Sequence, residues 1–242
     1  MENKIICSVA MATYNGEKYL EEQINSILIN LTENDELVIS DDGSTDKTLS
    51  IIKKYQKKDN RIKFFEGPKL GVKQNFNNAI EKCKGKYIFL SDQDDVWKKD
   101  KINKILQIFK KEKCLVVIHN ANIVDSNLKM QKQTFFEFRN SGSGILKNIW
   151  KNTYIGCCMA FDSSLKDKIL PIPNDIEMHD QWIGLIAEKY GKSIFINECL
   201  IDYRRHDNNV SKMMHHPLKE MLNNRIRFIK NYLKKKRLKH ER

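Results

Sequence analysis

Asp92, Asp94 and Asp95 crowd into the stretch Ser91-Asp92-Gln93-Asp94-Asp95-Val96-Trp97. They follow Tyr87-Ile88-Phe89-Leu90, a β-prone apolar run opened by Gly85, so the acids arrive where a buried strand surfaces. Carboxylates this close repel one another unless a cation sits between them. Asp92 and Asp94, two apart on extended chain, point the same way, and hard oxygen ligands in that arrangement suit Mg²⁺ or Mn²⁺ completed by substrate phosphates. An acidic turn capping a helix that begins near Lys101 fits the same residues equally well. Two further polar clusters share the setting: Thr13-Tyr14-Asn15-Gly16, and Asp41-Asp42-Gly43-Ser44-Thr45-Asp46.

The elements that must carry these clusters follow from periodicity. Ile5 to Ala12 reads as a buried strand, followed by a helix to about Leu31 with Leu20, Ile24, Ile27, Leu28 and Leu31 on one face. Glu36 to Ser40 is a second strand running directly into Asp41. Gly43 then supplies turn flexibility, Ser44 or Thr45 can cap, and Asp46 complements the positive end of a helix to about Lys58. Arg61 to Glu66 is a strand, Gly71 to Cys83 a helix, Tyr87 to Ser91 a strand, and Lys101 to Lys113 a helix. Strands alternating with helices imply a mostly parallel sheet in an α/β fold, whose ligands bind beyond the carboxyl ends of the strands. The three clusters therefore converge on one edge. Repetition at successive strand ends favours a nucleotide, with donors meeting Asp41 or Asp42 and a diphosphate carried on a metal. Neither G-x-x-x-x-G-K-[ST] nor G-x-G-x-x-G occurs, which argues against a P-loop enzyme and a dinucleotide dehydrogenase.

Val9 to Gly16, Asp41 to Asp46 and Ser91 to Trp97 resemble the three N-terminal signatures of family 2 glycosyltransferases, inverting enzymes of the GT-A fold, which is Rossmann-like. The likeness extends through Gly71-Val72-Lys73-Gln74-Asn75-Phe76, Ile155 to Phe161, Met178-His179-Asp180-Gln181-Trp182 and Tyr203-Arg204-Arg205-His206-Asp207-Asn208-Asn209-Val210. These later motifs are similar to a bacterial branch that includes rhamnosyltransferases of surface-polysaccharide assembly.

The resemblance implies that Asp42, with Asp41, holds a pyrimidine base while Thr13 and Asn15 line the nucleotide pocket and Gln93 joins the nucleotide-sugar-binding set. It implies Asp94 and His206 as metal ligands, with Asp92 facing the ribose or the metal's water shell and Asp180 as catalytic base. Here His179 stands before Asp180 where Glu is commoner, but only the Asp must reach the acceptor. Lys73 is either a phosphate contact or a solvated helix side chain. On side-chain chemistry alone, His206 is an ordinary surface histidine and Asp180 a residue at a helix N-terminus; the resemblance reverses the first preference and coexists with the second. Trp97 and Trp182 read as packing residues rather than sugar platforms.

With 242 residues and 40% apolar content the chain can bury a sizeable core. We expect a domain over 1–217, with a nucleotide-binding half to about 120 and an acceptor half beyond it. The stretch 122–150, centred on Ser141-Gly142-Ser143-Gly144, reads as a mobile flap beside the acceptor pocket. Six cysteines without C-x-x-C spacing read as reduced, buried thiols, with Cys157 and Cys158 as small core residues, and argue against a zinc site. No apolar run approaches a membrane span, and no basic segment precedes the first one. These features lead us to expect a cytoplasmic protein, and the basic C-terminal helix adds the expectation of a peripheral placement at the inner face of the plasma membrane.

The net charge of +12 is concentrated in the tail, where residues 218–242 hold ten Lys or Arg and two Glu. Leu218, Met221, Leu222, Ile226, Ile229 and Leu233 recur there at helical spacing, giving a basic amphipathic C-terminal helix. Docking on its own domain ranks first among its roles and anionic lipid second. Nucleic acid ranks last, for want of a recognition motif or stacking platform.

The reading is a metal-dependent, inverting hexosyltransferase using Mg²⁺ or Mn²⁺. Its expected partners are a nucleotide-sugar donor, dTDP-rhamnose or a UDP-hexose or UDP-N-acetylhexosamine, and a glycan or lipid-linked glycan acceptor, with a homo-oligomer left open. The alternative of another class is a non-catalytic nucleotide-sugar-binding scaffold.

Overall fold

Cys7–Thr13 (β1), Asp35–Asp41 (β2) and Tyr87–Ser91 (β4) are almost entirely buried, as runs of aliphatic residues covered on both sheet faces must be. With Ile62–Glu66 (β3) they form a parallel block in the order β3-β2-β1-β4. Parallel neighbours need crossover connections, and three helices supply them: Leu20–Leu28 (α1), Thr48–Gln56 (α2) and Val72–Lys82 (α3). Leu20, Ile24 and Ile27 of α1 are fully buried, as their spacing predicts. The computed structural model describes residues 5–207, 209 and 218–237. Asn208 and Val210 of the last motif, and the 217/218 boundary, lie wholly or partly outside them.

Beyond β4 the parallel rule lapses. Val96–Trp97 (β5) is followed by Lys101–Lys111 (α4), Val116–Val124 (β6), Met130–Thr134 (β7), Phe135–Arg139 (α5) and Ile145–Trp150 (α6). Then come Met159–Asp162 (β8), Lys166–Ile169 (α7), His179–Tyr190 (α8), Ser193–Arg204 (β9) and Leu218–Arg237 (α9). The sheet continues β4-β8-β6-β9-β5, with β7 hairpinned onto β6. β8 is antiparallel to both β4 and β6, and β5 is antiparallel to β9, while β6 and β9 are parallel. The mostly parallel sheet expected from the sequence thus describes only the first half. Strand–helix alternation governs direction where every connection is a crossover, and β6–β7 is instead a hairpin.

The stretch 122–150, irregular by its sequence, carries β7, α5 and α6. Thr134 caps α5 in a reciprocal box with Glu137, and the wholly buried Asn148 of α6 bonds Gly142, Gly144 and Thr153. Among the described residues no helix is long and apolar enough to cross a membrane. All six cysteines are free thiols. Trp97 and Trp182 are buried packing residues.

Candidate active site

Strand order places the site. The chain runs outward from β1 through β2 to β3, then returns to lay β4 on the other side of β1. In open α/β sheets ligands bind outside the carboxyl ends of strands at such a reversal. Thr13 to Gly16 leave β1 there, Asp92 to Asp95 leave β4, and Asp41 to Asp46 leave the adjacent β2.

The residues assigned to the nucleotide largely hold one another. Asp41 is almost fully buried and accepts from the Gly43 and Ser44 amides, the Ser44 hydroxyl and, at 2.8 Å, the Thr13 hydroxyl. Four internal donors satisfy that carboxylate, which leaves Asp41 little capacity for a ligand. Asp42 receives the Leu70 and Gly71 amides at 3.3 and 2.7 Å, which pins the start of α3 and leaves lone pairs for a donor. Asn15, at φ 47°, accepts from the Thr45 amide. Gln93 makes a reciprocal pair with the Tyr14 backbone, 2.9 Å each way, tying the β1 and β4 loops together. Lys73 matches neither reading of it: its ammonium donates to the Asn174 and Ile176 carbonyls, anchoring the segment before α8.

The acidic cluster does not cap α4, whose N-cap Asp100 makes no side-chain cap bond. Instead Asp94 Oδ2 lies 2.9 Å from His206 Nε2 although the two are far apart in sequence, and Asn209 Nδ2 is 3.3 Å from the same oxygen. Tyr19 stacks on the His206 ring at 4.9 Å. Behind the pair stands Arg204, a residue the sequence reading left without a role. Its amide donates to Asp95 Oδ1, its Nε to the Asp94 carbonyl, its guanidinium pairs with Glu22 and lies over Tyr19. Its position two residues before His206 was the only available signal.

Burial, then the charge of Asp94, pushes the Asp95 carboxyl up to about 7. Asp92 is raised well above its ordinary value by burial and then by Asp95, Asp94 and Asp180. Lys101, fully buried, is brought down to about 8 by burial; it donates to the Cys157 carbonyl and its ammonium sits 3.7 Å from the centre of the Trp97 ring. Sequence periodicity showed only a helix residue there.

These residues fit a divalent cation. Asp94 and His206 bring a hard oxygen and an imidazole nitrogen to one point, and the buried Asp95 Oδ2 makes no hydrogen bond among the described residues. Asp92, Asp95 and Cys157 also offer ligand atoms within 4.8 Å of one another. Burial holds the Cys157 thiol well above its usual range, and a metal-bound thiol must be ionised, so within that trio the donors are the carboxylates of Asp92 and Asp95.

The opposite wall is the first turn of α8, where Asp180 is placed by a helix that buries Trp182, Ile183, Leu185 and Ile186. Burial raises its carboxyl to about 6, opposed by hydrogen bonds from Asn152 Nδ2 (3.0 Å) and the Gln181 amide. His179 stacks on Phe76 at 4.1 Å and points neither ring nitrogen at a partner; burial holds it down at about 3, so it is a neutral packing group. Gly156 passes so close that an added Cβ would lie 2.9 Å from His179 Nε2. The loop leading to Cys157 thus joins the Asp180 wall to the acidic cluster.

The comparisons agree with this architecture. A family model described as Glycosyl transferase family 2 matches residues 8–171. The chain is 30% identical over 218 residues to TuaG of Bacillus subtilis (strain 168), a glycosyltransferase named for teichuronic acid biosynthesis, covering 86% of this chain and 82% of that one. It is 34% identical over 229 residues to the dTDP-rhamnosyl transferase RfbG of Shigella flexneri, covering 82% and 72%. The fold is shared with S. aureus TarS 1–349 in complex with UDP-GlcNAc, at TM-score 0.71 and 21% identity over 89% of this chain and 63% of that one. It is also shared with the mannosyltransferase PcManGT of Pyrobaculum calidifontis in complex with GDP-Man and Mn²⁺, at TM-score 0.65 and 18% identity over 84% and 57%. A family match through most of the chain, with relatives of this identity and coverage, makes the protein a member of glycosyl transferase family 2, a glycosyltransferase of the GT-A fold.

Proposed function

We propose that the protein transfers a sugar, with inversion, from a nucleotide donor to a glycan or lipid-linked glycan in surface-polysaccharide synthesis. The observation that carries this reading is the meeting of Asp94 Oδ2 and His206 Nε2 at 2.9 Å, beside an Asp92 close enough to Asp180 to feel its charge. The acceptor hydroxyl attacks the anomeric carbon from the face opposite the leaving group and gives its proton to the Asp180 carboxylate. The bond from that carbon to the diphosphate oxygen breaks, and its electron pair leaves with the nucleoside diphosphate. Asp94 and His206 would hold Mg²⁺ or Mn²⁺, which when bound would stabilise negative charge on the leaving phosphate. The Asp42 carboxylate would take a donor from the base, while Asp92 would face the ribose or the metal's water shell. Retention through a covalent intermediate would need a second placed nucleophile, and the Asp92 carboxyl, held well above its ordinary value by burial and then by its acidic neighbours, is a poor one.

Rhamnose from dTDP-rhamnose is the donor chemistry we favour, supported by the name of the RfbG relative. The experiment is a screen of nucleotide sugars with Mn²⁺, read by release of the nucleoside diphosphate. dTDP-rhamnose should be turned over and Asp94→Ala should abolish the release. Turnover of UDP-hexoses alone would move the donor assignment, and release that persists in Asp94→Ala would overturn the proposed metal role.

A further inference from the structure

The C-terminal helix carries two faces with different fates. Phe228, only 2% exposed, packs edge-on to Trp182 at 5.8 Å, and Tyr232 lies beneath the Lys189 ammonium. Asn231 bonds Asp175, Lys235 the Leu170 carbonyl, and Arg225 both the Trp150 carbonyl and its ring. That face packs on the domain through residues other than the apolar stripe read from the sequence. Of that stripe, Leu222, Ile226, Ile229 and Leu233 are 50%, 63%, 41% and 54% exposed. Spaced 4, 3 and 4 apart along α9, they form one row on the side away from Phe228. Arg227, Lys230 and Lys234 are exposed along one edge of the row. Adjoining α9, α6 exposes Leu146 at 84% and Trp150 at 66%.

We propose that this outward face of α9, with Leu146 and Trp150 of α6, is a docking surface for an anionic phospholipid bilayer. An apolar row flanked by cations lies in a bilayer interface with its aliphatic side chains at the acyl boundary and its ammonium and guanidinium groups among lipid phosphates. A tryptophan at the rim suits the headgroup level. Charge decides against a second copy of the chain. α9 contains eight Lys or Arg and a single Glu, so a symmetric pairing of two such faces would set the basic edges against each other. The placement also fits the acceptor side of the site: Asn152, whose amide holds Asp180, lies two residues beyond α6. This last point rests on reading Asp180 as the base; the docking face itself does not.

The test is co-sedimentation of the full chain with phosphatidylcholine vesicles with and without phosphatidylglycerol, which needs no turnover. Wild type should bind only the anionic vesicles, and more weakly as salt rises. Replacing Arg227, Lys230 and Lys234 together by Gln should weaken binding by roughly 10²-fold, about a factor of five for each cation removed. Ile226→Ser with Ile229→Ser should weaken it as well, while both variants keep the wild-type melting temperature because these side chains are solvent-exposed. Equal binding by wild type and variants, or none by wild type, overturns the proposal. So does a wild-type dimer in sedimentation velocity that Ile226→Ser with Ile229→Ser dissociates. Loss of vesicle binding with unchanged nucleotide-sugar hydrolysis separates this surface from the catalytic reading.

Discussion

A carboxylate acts as a base only when ionised, and burial holds the Asp180 carboxyl at about 6 against donation from Asn152 and the Gln181 amide. Arg139 helps to lower it, the neutral His179 precedes it on the same helix, and its own charge is one of those that raise the Asp92 carboxyl. If Asp180 is the base, as proposed, it is ionised above that pH and must first lose its proton below it, so kcat should fall on the acid side with a limb near pH 6. Asn152→Ala removes a donor to the ionised form, which raises the pKa. The acid limb should therefore move to higher pH, with a greater loss of rate at pH 6 than at pH 8; an unmoved limb would reject the pairing as functional. Asp180→Asn should cost ~10² to 10⁴ in kcat, the usual contribution of a positioned base, while donor affinity measured by calorimetry stays near wild type. The same residues mark how far side-chain types could be read. Asp94, His206 and Asp180 were recognisable from motifs. The engagement of Asp41, Gln93 and Lys73 with protein partners was not, because whether a polar group faces a ligand or a neighbour depends on what folds against it.

At the scale of elements, β4 and β1 can lie side by side because Gly85 lets the chain pass over β1. A Cβ at position 85 would lie 2.5 Å from the Ser8 amide nitrogen and 2.6 Å from the Cys7 carbonyl carbon, both backbone atoms that cannot rotate away. Gly85→Ala should cost ~1–3 kcal/mol, the usual penalty for forcing atoms into a packed interior. That corresponds to roughly 2–4 °C of melting temperature per kcal/mol for a chain of this size. An unchanged melting temperature would show that the two strands can part at this point without loss. The first four strands and their crossover helices were legible from alternating periodicities, and β4 matches its expected bounds of Tyr87 to Ser91. The stretch 122–150 was not, since α5 and α6 are too short to show a helical period and depend on the Thr134–Glu137 box and Asn148 bonds.

For the molecule as a whole, the acidic cluster is a stored repulsion that a bound cation and donor would offset. Nucleotide sugar and Mn²⁺ together should raise the melting temperature more than the sum of either alone. At ~100 times the dissociation constant a ligand contributes about 2.7 kcal/mol, or roughly 5–10 °C here. Asp94→Ala should remove the cooperative part of that shift; if the full shift survives, the cation binds elsewhere.

The amino-acid order by itself determined the parallel block, the rim on which three polar clusters emerge, and the family resemblance, because strand alternation and short motifs are local properties of the chain. Only the tertiary structure decided that Asp94 meets His206, that Arg204 and Lys101 stand behind the acids, and that the apolar row of α9 faces outward while Phe228 docks. Each of these depends on contacts between residues far apart in sequence or on which side of a helix the domain covers. Local periodicity can reveal two faces on a helix, but only packing chooses which of them meets solvent.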